Sequence, residues 1–216
     1  MILTELVDLL SEKTEHNEIV IINKYYPTGL REQQINDYYT KNKQLILENT
    51  KNRNVVIVIA TGINKYIIKR NTPDNKPIRL TSSNFDTYVN GRTISIFVEQ
   101  TDPTNEWCLD LDFGSSISES EKIQTVLDML KFANKLYEQG DTIKSNYYKV
   151  NNTSDGYHVF IYMKSFKSQR NNYEDAKEII TNEFSNKYVI NRPVKSTKDI
   201  VIDLSVMKPR GCYVVE

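Results

Sequence analysis

Two aspartates one residue apart, Asp110 and Asp112, stand in the stretch EWCLDLDFG at 106–114. In a strand, side chains at i and i+2 share a face. Both carboxylates then line one face, while Leu109 and Leu111 line the other. Two like charges this close favour a positive group between them. A hard divalent cation with oxygen ligands suits that role, usually completed by water and a substrate phosphate. The plainer alternative is a strand edge with both side chains in solvent. A second stretch, TSDGYHVFIYMK, carries Ser154, Gly156 and His158 at the turn that opens an apolar run. Ser154 offers a hydroxyl and a backbone N–H, Gly156 permits a close backbone approach, and His158 can donate to a phosphate oxygen. Read singly, His158 also fits a satisfied core histidine. The other histidine, His16, sits in a polar helix end. A third stretch, DIVIDLSVMKPRG, ends its apolar run on Asp203, with Lys208 and Arg210 beyond. A turn-forming aspartate is the alternative there.

These residues need elements to carry them. LTELVDLL reads as a short helix and EIVIINK as a strand. GLREQQINDYYTKNKQLILENT has helical spacing at Ile35, Tyr38, Tyr39, Leu45 and Leu47. NVVIVIAT is a β-branched run that predicts a buried strand, with NKYIIKRN as its hairpin partner. Residues 71–91 carry Pro73, Asn75, Pro77 and Gly91 and read as the loosest part of the chain. RTISIFVEQ and EWCLDLDF follow as strands separated by a turn at Asp102–Asn105. Ser118 and Glu121 form a capping-box pattern ahead of an apolar stripe at Ile123, Val126, Leu127, Leu130, Ala133 and Tyr137. NYYKV and YHVFIYM read as a strand pair, NNYEDAKEIITNEF as a helix, and KDIVIDLSV as the last strong strand. The pattern predicts an α/β (α+β) protein of two packed modules, about residues 1–92 and 93–216. The second would hold a mostly antiparallel, RRM-like catalytic sheet, β-β-α-β-β-α-β, backed by helices.

Bulk properties exclude several classes. The 216 residues allow a sizeable core, and 28 basic against 28 acidic residues leave no net charge. Nucleic-acid binding, if present, must therefore come from local patches. The first sixteen residues lack the basic and apolar regions of a signal peptide, and no apolar run approaches the ~18 residues of a membrane span. Two cysteines, Cys108 and Cys212, form no C-x-x-C pair. They predict reduced thiols in an intracellular protein, without a disulfide framework or structural zinc.

The order LDLDFG, TSDGYHVFI, IVIDLSVMKPRG resembles the three motifs of the archaeo-eukaryotic primase superfamily. It is most like primase-polymerase domains of the type found in bacterial DNA ligase D. YYPTGLREQQINDYYTKN, NVVIVIATGINKYIIKRN, FVEQTDPTNEWCLDLDFG and RGCYVV are similar to other stretches of that branch, so the likeness spans nearly the whole chain. It implies that Asp110, Asp112 and Asp203 hold two divalent ions, Mg²⁺ or Mn²⁺. It further implies that Ser154 and His158 hold the triphosphate of an incoming nucleotide. Lys69 and Arg210 match basic residues near nucleotide or template, and Tyr66 or Ile67 a platform under the base. The implied activity is template-directed DNA primase-polymerase chemistry, with DNA template and primer, nucleoside triphosphates, and replication or repair proteins as partners. Asp155 stands where family members often carry a basic residue. The chain stops before the Ser-and-Arg-bearing strand usual after the third motif, and the zinc motif of replicative primase small subunits is missing.

The residues are consistent with that chemistry. Attack of a 3′-hydroxyl on an α-phosphate, with pyrophosphate leaving, suits a two-metal carboxylate site. Positioning and charge neutralisation dominate, so His158 need not act as a base. Basic residues cluster at 63–92 (Lys65, Lys69, Arg70, Lys76, Arg79, Arg92) and 191–210 (Arg192, Lys195, Lys198, Lys208, Arg210). Each cluster is a groove wall for a phosphate backbone or an ordinary solvated face. An end-joining gap-filling polymerase shares every motif. A nucleotide-sugar glycosyltransferase would use the D-x-D pair but leaves Ser154, His158 and Asp203 unexplained. An inactive nucleic-acid-binding relative would keep the fold alone.

Overall fold

A computed structural model describes residues 32–62, 65–99, 106–142, 147–152, 156–163, 172–208 and 211–215. The expected first helix and the strand at 18–24 lie outside the described residues, as does the turn at 102–105. The described residues within Lys24–Thr101 and Arg210–Glu216 make one compact unit, and those within Asp102–Pro209 the other.

In the first unit, helix α1 (Glu32–Asn49) covers strand β1 (Val55–Gly62). The β-branched run of β1 is buried on both faces at Val55, Val56 and Ile57, as a central strand requires. β1 pairs antiparallel with β2 (Lys65–Lys69), confirming the hairpin, and on its other side with β3 (Thr93–Glu99). β9 (Cys212–Val214) adds to β3, giving the order β2-β1-β3-β9. Tyr39 and Ile46 of α1 meet Val55, Ile57, Ile59 and Ile96 of the sheet in one core. The Pro-rich stretch at 71–91 is not featureless. Ile78 and Leu80 are buried, and a short helix, α2 (Phe85–Tyr88), plants Phe85 and the following Val89 in the same core.

The second unit is built on a five-stranded sheet ordered β5-β6-β4-β8-β7. Its strands are β4 (Glu106–Phe113), β5 (Tyr148–Asn152), β6 (Gly156–Tyr162), β7 (Val189–Ile190) and β8 (Ile200–Asp203). All pairings are antiparallel except the short β7–β8 contact. Helix α3 (Glu119–Glu138) begins at Ser118 with both halves of the capping box formed. It buries Ile123, Val126, Met129, Leu130 and Ala133. Its N-terminal turn meets one sheet face: the Tyr157 hydroxyl donates to Glu119 at 3.0 Å, and Lys122 lies over the Phe113 ring. Burial first, then the Glu119 charge and hydrogen bond, push the Tyr157 phenol up to about 12. That same sheet face presents Trp107, Leu109 and Leu111, all fully buried. Each such side chain contributes ~1.5–3 kcal/mol by leaving water. Helix α4 (Asn172–Phe184) buries Ala176 and Ile180.

Two sequence expectations are corrected here. β3 does not sit beside β4 in the second unit's sheet, although the two are neighbours in the chain. Its apolar positions Ile96 and Val98 match the β1 core instead, so the boundary expected at residue 92 falls after β3. Likewise β9, from the stretch after Asp203, completes the first unit's sheet and not the second's. Neither cysteine is in a disulfide; Cys108 is buried and Cys212 half-buried, and burial raises the Cys212 pKa against the opposing influence of Arg70.

Candidate functional site

Register decides what shares a face. Asp110 on β4 lies directly opposite His158 on β6 and, on its other side, directly opposite Asp203 on β8. Residues paired in an antiparallel ladder project to the same side of the sheet. Asp112, two residues along β4, joins them and faces Gly156 across β6. The three aspartates and His158, scattered over ninety residues of sequence, therefore meet on the sheet face opposite Leu109 and Leu111. His158 Nε2 stands 3.3 Å from Asp110 Oδ1, with the imidazole side chain 6% exposed and the carboxylate 24%.

Asp203 is held by its own turn. Its Oδ1 accepts the Ser205 N–H at 2.7 Å and its Oδ2 the Ser205 hydroxyl at 2.9 Å. This Asp-x-Ser turn is what stops β8 and starts the 3₁₀ turn Ser205–Met207. Asp112 and Asp203 line an open cleft of about 500 Å³, shared with Phe113, Ser205 and the segment Asn191–Val194. Asn191 adopts a left-handed φ of 54°, and its Oδ1 accepts the Leu204 N–H at 2.8 Å, tying the segment to β8. Farther along, Gly114 and Ser116 donate backbone N–H groups to Asp199 and Thr197 at 2.8 and 2.9 Å. Asp199 in turn accepts the N–H groups of Lys195 and Ser196, which hold its carboxyl below the usual range. A Cβ on Gly114 would stand 2.3 Å from the Thr197 oxygen, so only glycine lets this loop dock on the end of β4.

By residue type alone, three carboxylates on one sheet face are the oxygen donors a hard divalent cation takes. Their placement does not match: among the described residues no group of three or more His, Cys, Asp or Glu side chains is arranged so that it could hold a metal ion. The partners of Asp110 and Asp203, His158 and Ser205, show where those carboxylates are directed instead.

Of the remaining sequence candidates, Ser154 and Arg210 lie outside the described residues. Lys69, Tyr66 and Ile67 lie on β2 of the other unit, where all five residues are exposed. In the basic cluster at 63–92, Arg70 pairs with Glu99 and Arg92 with Glu32, each at 2.7 Å. Lys208 sits over the Tyr173 ring. Sequence reasoning did not single out Ser205 or Asn191. The D-x-S spacing after β8 was the available signal for Ser205; an asparagine ahead of Arg-Pro was only a faint one for Asn191. No helix among the described residues is long and apolar enough to cross a membrane.

Fold and site together define a mixed α+β protein with a carboxylate-bearing, mostly antiparallel sheet. No family model and no curated protein matches the sequence. Among solved structures, the chain is similar to the polymerase domain of Mycobacterium tuberculosis ligase D, determined in complex with DNA. The TM-score is 0.62 over 92% of this chain and 81% of that one, at 13% identity. The likeness is one of fold, and it is the fold that the motif order implied.

Proposed function

We propose that this protein is a template-directed nucleotidyltransferase, a DNA primase-polymerase. It would join nucleotides to a 3′-hydroxyl with release of pyrophosphate. The observation that carries the reading is the rung Asp203–Asp110–His158, with Asp112 beside it, on a sheet that shares a polymerase-domain fold.

Asp110, Asp112 and Asp203 would hold Mg²⁺ or Mn²⁺. When bound, such ions lower the pKa of the attacking hydroxyl and neutralise the leaving phosphate. The chain's own residues supply position and charge. Asp110 and Asp203, on adjacent strands, set a fixed spacing that no single flexible loop provides. Ser205 orients the Asp203 carboxylate through both oxygens, so little reorganisation remains for turnover. His158, largely buried beside Asp110, donates an N–H toward the phosphates of an incoming nucleotide, with Ser154 as a second donor. Arg192 lines the cleft and offers a guanidinium to phosphate oxygens. DNA template and primer would be the macromolecular partners.

The test is incorporation of a labelled nucleotide on a primed and on an unprimed template, with Mg²⁺ or Mn²⁺ supplied. Incorporation on both supports a primase-polymerase; on the primed template alone, an extending or end-joining enzyme. A second reading, an inactive nucleic-acid-binding relative, draws on the finding that no group of three or more His, Cys, Asp or Glu among the described residues could hold a metal ion. Template binding without metal-dependent incorporation would establish it.

A further inference from the structure

The polar rung does not end at His158. Across β6, His158 lies directly opposite Asn151 on β5, so Asn151, His158, Asp110 and Asp203 form one line over four adjacent strands. Asn151 is 5% exposed, and its side-chain Oδ1 is buried and accepts no hydrogen bond among the described residues. Such an acceptor costs ~1–3 kcal/mol relative to an apolar side chain of the same shape. Val150 and Val159 show what the same two strands otherwise bury. Directly opposed residues in an antiparallel pair have Cβ atoms roughly 4.5–5.5 Å apart, within hydrogen-bonding reach of an amide and an imidazole after a side-chain rotation. His158 approaches Asp110 through Nε2, and its Nδ1 is a buried atom.

We propose that Asn151 is a positioning residue for His158: with a proton on each ring nitrogen, its Oδ1 accepts the imidazole Nδ1–H and fixes the ring so that the Nε2–H faces Asp110 and the arriving phosphate. The role of Asn151 at a phosphate-binding imidazole rests on the nucleotidyltransfer reading; the hydrogen bond itself does not. With an acceptor on β5 and a carboxylate on β4, the ring is clamped from both neighbouring strands. Asp110 is also a proposed cation ligand, so the β5 acceptor gives the ring an anchor that does not depend on the metal.

The experiment uses the full chain. His16→Gln leaves a single histidine, so ring nitrogen and N–H signals in ¹⁵N-edited NMR belong to His158. Expected is a solvent-protected His158 Nδ1–H proton, lost in Asn151→Leu and retained in Asn151→Asp, which keeps the shape and the acceptor. Thermal melting of each variant separates this signature from unfolding. A background spectrum without that proton, or one left unchanged by Asn151→Leu, overturns the assignment. In the incorporation assay Asn151→Leu should raise KM for the nucleotide about tenfold with kcat changed less, about 1.4 kcal/mol of lost binding. Failure of the wild-type chain to incorporate, with the protected proton present, would sink the enzymatic reading and leave the Asn151–His158 bond standing.

Discussion

Gly156 is the position at which one added methyl group should cost both fold and site. It opens β6 opposite Asp112, and a Cβ built there would lie 1.9 Å from the Leu111 backbone oxygen and 3.1 Å from its carbon. Ordinary contact for these atoms is ~3.4 Å or more, so the two strands must separate by more than 1 Å at this rung. The obstacle is backbone in the centre of a sheet, with no rotamer to turn aside. Overpacking of this kind costs ~1–3 kcal/mol or more. At ~2–4 °C per kcal/mol for a chain of this size, Gly156→Ala should lower Tm by roughly 5–10 °C. The displacement falls two residues from His158 on the same face, so the 3.3 Å approach of Nε2 to Asp110 should lengthen and nucleotide incorporation fall about tenfold or more. The internal control is Gly62, where a Cβ would meet only Lys65 side-chain atoms at 3.9 Å. Gly62→Ala should be neutral or stabilising by ~0.4–1 kcal/mol through the unfolded state. Melting curves followed by circular dichroism, with incorporation assayed on the same preparations, decide the matter. If Gly156→Ala melts within 1–2 °C (about 0.5 kcal/mol) of the parent and keeps its turnover, the close passage of β4 over β6 is not the constraint described here.

Three further outcomes are expected. Asp110→Ala and Asp203→Ala should bring incorporation to background while far-UV circular dichroism changes little, Asp203→Ala also lowering Tm by a few degrees for its two lost Ser205 hydrogen bonds; activity near that of the parent in either would remove the metal assignment. Burial raises the Asp128 carboxyl, but hydrogen bonds from Lys187, Tyr188 and Gln124 outweigh it and hold its pKa below the usual value. A depressed folded pKa means stability present above the unfolded carboxylate's pKa, about 4, and lost as pH falls through the lower folded one. Denaturant midpoints should therefore fall more steeply below pH 4 in the parent than in Asp128→Asn, and parallel slopes would contradict this. Ser118→Ala breaks the capping box of α3 and should cost about 1 kcal/mol, read as a shift of a few degrees in Tm, with incorporation per folded molecule unchanged.

Much of this protein was written locally. The β-branched run at 55–59 demanded a buried strand, the Ser118–Glu121 pair marked a helix start, and alternation put Asp110 and Asp112 opposite Leu109 and Leu111. These features depend on propensity and on periods of 2 and 3.6 residues, which neighbouring residues carry among themselves. Which strands become partners is a matter of register and core matching between distant segments. That is why β3 left its chain neighbour β4 for β1, and why the stretch after Asp203 returned to β3. The motif order raised the expectation that Asp203 and His158 belong with the aspartate pair. Only the β4–β8 and β4–β6 ladders put them on one rung, and only those ladders brought in Asn151, whose place no spacing along the chain betrays. Sequence fixes which side chains share a strand face; the pairing of strands, which no local rule specifies, decides which faces combine into a site.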